Sequence, residues 1–317
     1  MRALAAWSRM TLLIVTVVAC GDSDSPKRPA RQAGDPSRPL LVYVVNHPLQ
    51  YFATRIGGEY VEVVFPAPAD VDPAHWSPGA ETVAAYQQAD LILQSGAGYA
   101  AWMRQASLPQ HALVDTSAAF ADRLIPLERA ATHSHGPAGP HEHGGFAFTT
   151  WLDPTLAIEQ ARAVARAFER ARPDHAQAFR RSFDELASEL SELDRQLGAV
   201  ARRLGSQPLL FSHPVYQYLI RRYALNGRSL HWEPDAAPDL EELAQALQEH
   251  SARWMIWEAP PLPETARALE AAGIASVVFS PCARAPVVGD WLSEMQRNLA
   301  RLEAGPGASS PSFPTSS

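Results

Sequence analysis

Seven side chains able to bind or move a charged ligand stand at or beyond the ends of expected strands in this 317-residue chain. His47 follows Leu40–Val45, and His75 sits in the loop after Val61–Phe65. His213 follows Leu209–Phe211, His231 (with Glu233) follows Ser229-Leu230, Glu258 follows Trp254–Trp257, and Cys282 follows Val277–Phe279. Neutral imidazole and carboxylate are the donors a borderline divalent cation such as zinc takes in a four-coordinate site. Each residue also has a plainer use. A histidine at a strand end can bond a loop, His231 can stack on Trp232, Glu258 can cap the next helix, and Cys282 can fill a core. Thr132 to Gly145 is a different kind of signal. It holds His133, His135, His141 and His143 among glycine and proline and contains nothing to pack, so it reads as a disordered loop. Flexible imidazoles bind zinc weakly, which suits capture and hand-over.

The elements that must position these residues alternate in type. Leu40–Val45 is a continuous apolar run fit for a buried parallel strand, followed by a helix over Leu49–Ile56 and a strand over Val61–Phe65. Ala80–Gln88 and Tyr99–Gln105 read as helices, Leu91–Gln94 and Ala112–Asp115 as strands. From Pro154 to Gly205 the pattern is purely helical. Asp153 and Pro154 start one helix, Arg172-Pro173 interrupts it, and Phe179 to Leu204 then recur at spacings of four and three. At 1.5 Å per residue the second helix runs roughly 45 Å, so it reads as a strut joining two lobes, with a coiled-coil seam as the alternative. Strand and helix alternate again to Leu302. The fold class is α/β: two lobes, each a parallel sheet flanked by helices, joined by a long linking helix. In such sheets ligands bind beyond the carboxyl ends of the strands, where these seven side chains collect.

Composition sets the bounds. A 46% hydrophobic content is that of a globular chain, and a net charge of −7 without a basic aromatic patch argues against nucleic acid. Arg2 and Arg9 precede a short apolar run, Met10–Ala19, too short to span a bilayer and shaped like a signal peptide. It ends Val17-Val18-Ala19-Cys20-Gly21, which resembles the bacterial lipoprotein box, in which the cysteine is diacylated and becomes the first mature residue. Cys282 would then have no cysteine to pair with. The expected organisation is a signal peptide over residues 1–20, a tether over 21–38, and an N-terminal lobe over 39–153 with the histidine loop at 132–145. Linking helices follow over 154–204, then a C-terminal lobe over 205–303 and a disordered tail over 304–317.

Together these residues resemble the periplasmic solute-binding lipoproteins of zinc and manganese ABC importers. The marks are Pro48-Leu49-Gln50-Tyr51-Phe52 with Ile56-Gly57-Gly58, Asp72-Pro73 through Pro78, the histidine loop ahead of Trp151-Leu152-Asp153-Pro154, and Ser212-His213 with Tyr216, Tyr218 and Arg222-Tyr223. The resemblance implies a monomer that holds one divalent metal, Zn2+ before Mn2+, in the cleft and hands it to a permease of the inner membrane. It also implies an extracytoplasmic, membrane-anchored location and no enzymatic activity. Only His213 coincides with a family ligand. Ala74, Thr149 and Ser280 stand where the family places others, so the cleft set is expected from His213, His231, Glu258, His75 and His47. Two alternatives stay open: a divergent two-lobed metal enzyme of chelatase type, with Glu258 as a general base, and a metal buffer or chaperone without a transporter.

Overall fold

The computed structural model describes residues 38–127 and 145–305, together with the backbone of Thr132–Ser134 and Pro140–Glu142. At the centre of the first lobe lies β1 (Leu40–Val44), with four of its five side chains buried. It pairs in parallel with β2 (Val61–Val64) on one side and β3 (Leu91–Gln94) on the other, and β3 pairs in parallel with β4 (Leu113–Asp115). The sheet order is therefore β2-β1-β3-β4.

Between β1 and β2 runs α1 (His47–Gly57), which starts two residues earlier than the sequence suggests. The reason is the cap: the Asn46 side chain accepts from the Leu49 amide at 3.0 Å, and Pro48 has the fixed φ of a first turn. The Gly57-Gly58 pair has two separate causes. A Cβ on Gly57 would lie 2.5 Å from the Val61 side chain, whereas Gly58 takes φ +51°, where a glycine is favoured. The helix α2 (Ala80–Tyr86) follows β2. The helix expected over Tyr99–Gln105 is reduced to a 3-10 turn, Ala101–Arg104. Positive φ at Gly96, Ala97, Gly98 and Ala100 leaves too little chain in helical conformation for more.

Thr132–Ser134 (β5) and Pro140–Glu142 (β6) pair antiparallel with each other, so the histidine loop contains a hairpin where no regular structure was expected. Short polar strands carry no apolar alternation for the sequence to reveal. His135 and His143 lie outside the described residues, as does Cys20 with the whole leader and tether to Ser37.

The strut forms in two parts. The first, α3 (Pro154–Ala171), is capped by Asp153 accepting from Thr155 N at 2.9 Å, and it ends at Arg172, before Pro173. After a 3-10 turn comes α4 (Ala176–Leu204), whose 29 residues span about 44 Å. Phe179, Phe183, Leu186, Leu190, Leu193, Leu197 and Val200 are all buried, as the four-three spacing requires. This seam serves both lobes. Glu189 receives Arg55 of α1 in a bidentate pair at 2.8 and 2.9 Å, and Asp194, little more than one turn on, receives Arg222 and Tyr223 of the second lobe. Its apolar face belongs to one core shared by both lobes, which a dimer seam would not give.

The second lobe has the order β10-β9-β7-β8, all parallel: β7 (Leu209–Phe211), β8 (Gly227–Ser229), β9 (Trp254–Trp257) and β10 (Ala275–Val278). Its helices are α5 (Gln217–Tyr223), α6 (Leu240–Glu249), α7 (Pro263–Ala271) and α8 (Trp291–Ala304). Among the described residues, no helix is long and apolar enough to cross a membrane.

Candidate metal centre

Three strand ends of the second lobe converge. The sheet ladder continues past the strands: Ser212 N bonds Ile256 O at 2.8 Å, Leu230 N bonds Phe211 O at 2.8 Å, and Trp232 N bonds Ser212 O at 2.7 Å. Those bonds fix the start of each following loop. Trp232 is buried beside Trp257, and its indole donates to Glu242 at 2.6 Å. With extended-chain alternation, its neighbours His231 and Glu233 turn the other way.

His213 sits between two carboxylates. Its Nδ1 is 3.1 Å from Glu258 Oε1, and its Nε2 is 3.6 Å from Glu233 Oε1. One donor atom from each of His213, Glu233 and Glu258 lies within 4.8 Å of the others, and all three residues are half-buried. A tetrahedral ion with bonds near 2.1 Å holds its donors about 3.4 Å apart, so small side-chain rotations close the set on a cation. With the ring neutral, two carboxylates bring a charge of −2, matching a divalent ion. Burial pulls the His213 pKa down, but the Glu258 hydrogen bond and the charges of Glu258, Glu233 and Asp72 outweigh it, and the net shift is upward.

From the first lobe, the charge of Asp72 reaches His213. Asp72 accepts from Ala74 N at 2.9 Å and lies 3.8 Å from His75 Nε2, while the His75 ring packs edge-on against Phe148. Thr149 instead ties the lobes, its hydroxyl donating to Val215 O at 2.5 Å, and Trp151 does the same through its indole to Pro281 O at 2.8 Å.

The sequence-derived donors divide accordingly. His213 and Glu258 are brought together, and Glu233 joins them. His231 is exposed, its ring centroid 6.5 Å from that of His213, and it is not part of the three-residue cluster. His75 lies with Asp72 at the other lobe. His47 is not at a free strand end at all. It occupies the first turn of α1, buried, with its amide on Ala283 O at 2.9 Å and Nδ1 on Gln50 at 3.1 Å. Burial lowers its pKa, against smaller upward effects of Gln50 and Asp290. Ser280 bonds Asn298 of α8 and the Cys282 amide, and burial pushes the Cys282 thiol up to about 12. Glu233 was visible beside His231, but the preference for imidazole over carboxylate hid it. The signal was buried Trp232 between them, which puts both neighbours on the same side.

A likeness to known proteins runs the length of this architecture. The family model for zinc-uptake complex component A, periplasmic, matches residues 42–305. The high-affinity zinc uptake system protein ZnuA of Bacillus subtilis (strain 168) is 26% identical over 263 residues, covering 80% of this chain and 81% of the relative. In fold, the chain is similar to the metal-dependent lipoprotein YcdH of Bacillus subtilis, with a TM-score of 0.71 at 21% identity over 84% of this chain and 99% of that one. It is likewise similar to the Zn(II)-bound ZnuA-like domain of Streptococcus pneumoniae AdcA, with a TM-score of 0.71 at 19% identity over 84% of this chain and 98% of that one. Matched from the central strand of the first lobe to the last helix of the second, the chain belongs to the family of periplasmic component A of zinc-uptake complexes.

Proposed function

We propose that this protein captures Zn2+ in the cleft between its lobes and delivers it to an ABC permease. The observation that carries the reading is the convergence of His213, Glu233 and Glu258 within 4.8 Å at three adjacent strand ends. His213 supplies the nitrogen donor, and the two glutamates supply oxygen and balance the ion's charge. Asp72 and His75 offer further donors from the first lobe, so a bound ion would bridge the halves. The strut, pinned to both lobes at Glu189 and Asp194, limits the motion to a small adjustment of the cleft. Capture and release are the whole activity on this reading, with Glu258 a donor and not a general base.

Proton and metal compete for His213. Only the neutral ring binds a cation, so the carboxylates that raise its proton affinity also make zinc uptake fall off on acidification. The histidine loop, with His133 and His141 directly opposed across the hairpin, adds weak sites that raise the local zinc concentration at the cleft. Acylation of Cys20 keeps the protein at the extracytoplasmic face of a membrane, near its permease.

The test is thermal. Zinc at saturation should raise the melting temperature of a variant lacking residues 132–144 by several degrees, and His213→Ala should remove most of that rise. A loop-deleted protein with no zinc-dependent shift at neutral pH would end the proposal for the cleft.

A further inference from the structure

The chain as a whole carries a net charge of −7, yet one stretch inverts that sign. From Arg162 to Arg181 the arginines are Arg162, Arg166, Arg170, Arg172, Arg180 and Arg181, against Glu169 and Asp174 alone. The fold brings three of these arginines, Arg166, Arg170 and Arg180, to the elbow where α3 turns into α4. Arg166, Glu169, Arg170, Pro173, Ala176 and Arg180 line an open groove of about 470 Å3 there. Glu169 is already engaged by Arg180 at 2.8 Å, and Arg162 lies over the Phe183 ring and 3.4 Å from Glu159. Arg166 and Arg170 are exposed, one helical turn apart, and have no ion-pair partner among the described residues. A guanidinium pair of this kind suits phosphate, which its planar fork binds in two-point contact.

What lies opposite this groove follows from the chain path. Arg172 donates to the Arg38 carbonyl at 3.3 Å, so the elbow adjoins the point where the described chain begins, just before β1. However it is arranged, the stretch from Cys20 to Arg38 reaches at most about 60 Å. If Cys20 carries the anchor, the leash joins the molecule beside this elbow and keeps it within that reach of the membrane. Charges farther away than a Debye length of about 8 Å are screened, so the net charge of the whole chain counts for less here than the elbow's own arginines, which are opposed nearby by Asp174 and by Glu59 and Glu62 on either side of Tyr60, stacked on His175 at 4.0 Å.

We propose that the α3–α4 elbow, through Arg166 and Arg170, docks on an anionic phospholipid surface. The elbow lies at the amino end of β1, whereas the metal centre lies beyond the carboxyl ends of the strands. Docking therefore turns the cleft away from the membrane and toward arriving metal, and delivery to a permease requires the protein to swing off on its leash. The surface chemistry needs neither zinc nor acylation; only the encounter with the membrane rests on the reading of Cys20.

The experiment uses the mature chain carrying Cys20→Ser, so that no acyl group contributes. It is sedimented with vesicles of phosphatidylcholine alone or with phosphatidylglycerol. The expected result is binding to the anionic vesicles, lost at high salt, with little binding to the neutral ones. Each cation at such a surface is worth about fivefold in partition, so Arg166→Gln with Arg170→Gln should weaken binding about 25-fold. Both residues are exposed, so the double variant should keep the melting temperature and zinc response of the parent. Equal binding of parent and double variant would overturn the proposal and credit the basic residues of the tether. Absence of binding to anionic vesicles, or equal binding to neutral ones, would also overturn it. None of these outcomes bears on zinc capture in the cleft.

Discussion

Replacing Glu258 by glutamine separates the metal centre from mere scaffolding, because it acts in opposite directions on the zinc-free and zinc-loaded proteins. The substitution keeps shape and removes one charge from a carboxylate 3.1 Å from His213 Nδ1. Without zinc, at a pH high enough for the imidazole to be neutral, Glu233 and Glu258 flank it as two like charges. Losing one relieves repulsion, and the melting temperature should stay level or rise slightly. At pH 5.5 the ring is protonated. The raised folded-state pKa of His213 means its stabilisation is fully present below the unfolded value near 6.5 and is lost as pH rises through the folded one. Glu258→Gln should therefore cost the zinc-free protein about 1–2 kcal/mol at pH 5.5, the lower part of the range for a charge-assisted hydrogen bond because the site is part-exposed. With zinc at pH 7.5 the loss is of another kind. Removing a residue that merely orients a metal ligand costs about 10–100-fold in affinity, and removing a donor should cost about 100-fold or more. At a thousandfold excess over the parent Kd, zinc stabilises by about 4.1 kcal/mol; after a 100-fold loss about 1.4 kcal/mol is left. At about 2–4 °C per kcal/mol, the zinc-induced rise should shrink from roughly 8–16 °C to roughly 3–6 °C. Differential scanning calorimetry of the loop-deleted protein reads both arms. An undiminished zinc shift in Glu258→Gln at pH 7.5 would refute Glu258 as a donor, and an unchanged zinc-free melting temperature at pH 5.5 would refute the pairing with His213.

Three further outcomes are expected. In the parent protein the zinc-induced shift should fade with falling pH, and the fading should begin above the ordinary imidazole pKa of 6.5, because His213 holds its proton more tightly than usual; calorimetry across pH 5.5–8 reads the midpoint. Deleting residues 132–144 should leave the zinc-free melting temperature nearly unchanged while lowering zinc stoichiometry in titration calorimetry, since the hairpin strands pair with each other and the base is already closed by the Pro126–Phe146 bridge and the Leu127 N to Gly145 O bond at 2.9 Å. Gly57→Ala should cost about 1–3 kcal/mol in chemical denaturation, because the new Cβ would lie 2.5 Å from Val61 and β2 must shift to admit it.

Much of this protein is written locally. The seam from Phe179 to Val200 had a single periodic solution and folded as one 29-residue helix, because burial of an unbroken apolar stripe outweighs anything its polar face could prefer. Asp153-Pro154 and Arg172-Pro173 set the ends of α3 through a cap and a proline, both of which act within a few residues. The buried parallel strands β1, β3, β7 and β9 were legible as apolar runs, whereas β8, Gly227-Arg228-Ser229, carries no such run and is placed by its pairing with β7. The candidate metal cluster was not local. Its three members come from three separate strand ends, and residue type alone favoured His231 and His47 over Glu233. In the fold Trp232 is buried and both its neighbours face the other way, but Glu233 falls within the three-residue cluster while His231 stays exposed outside it, and the Asn46 cap draws His47 into the first turn of α1. A side chain's type is fixed by the sequence, but which donors share 4.8 Å depends on the order in which β9, β7 and β8 lie side by side in one sheet and on the loops that leave them, and that only the tertiary structure decides.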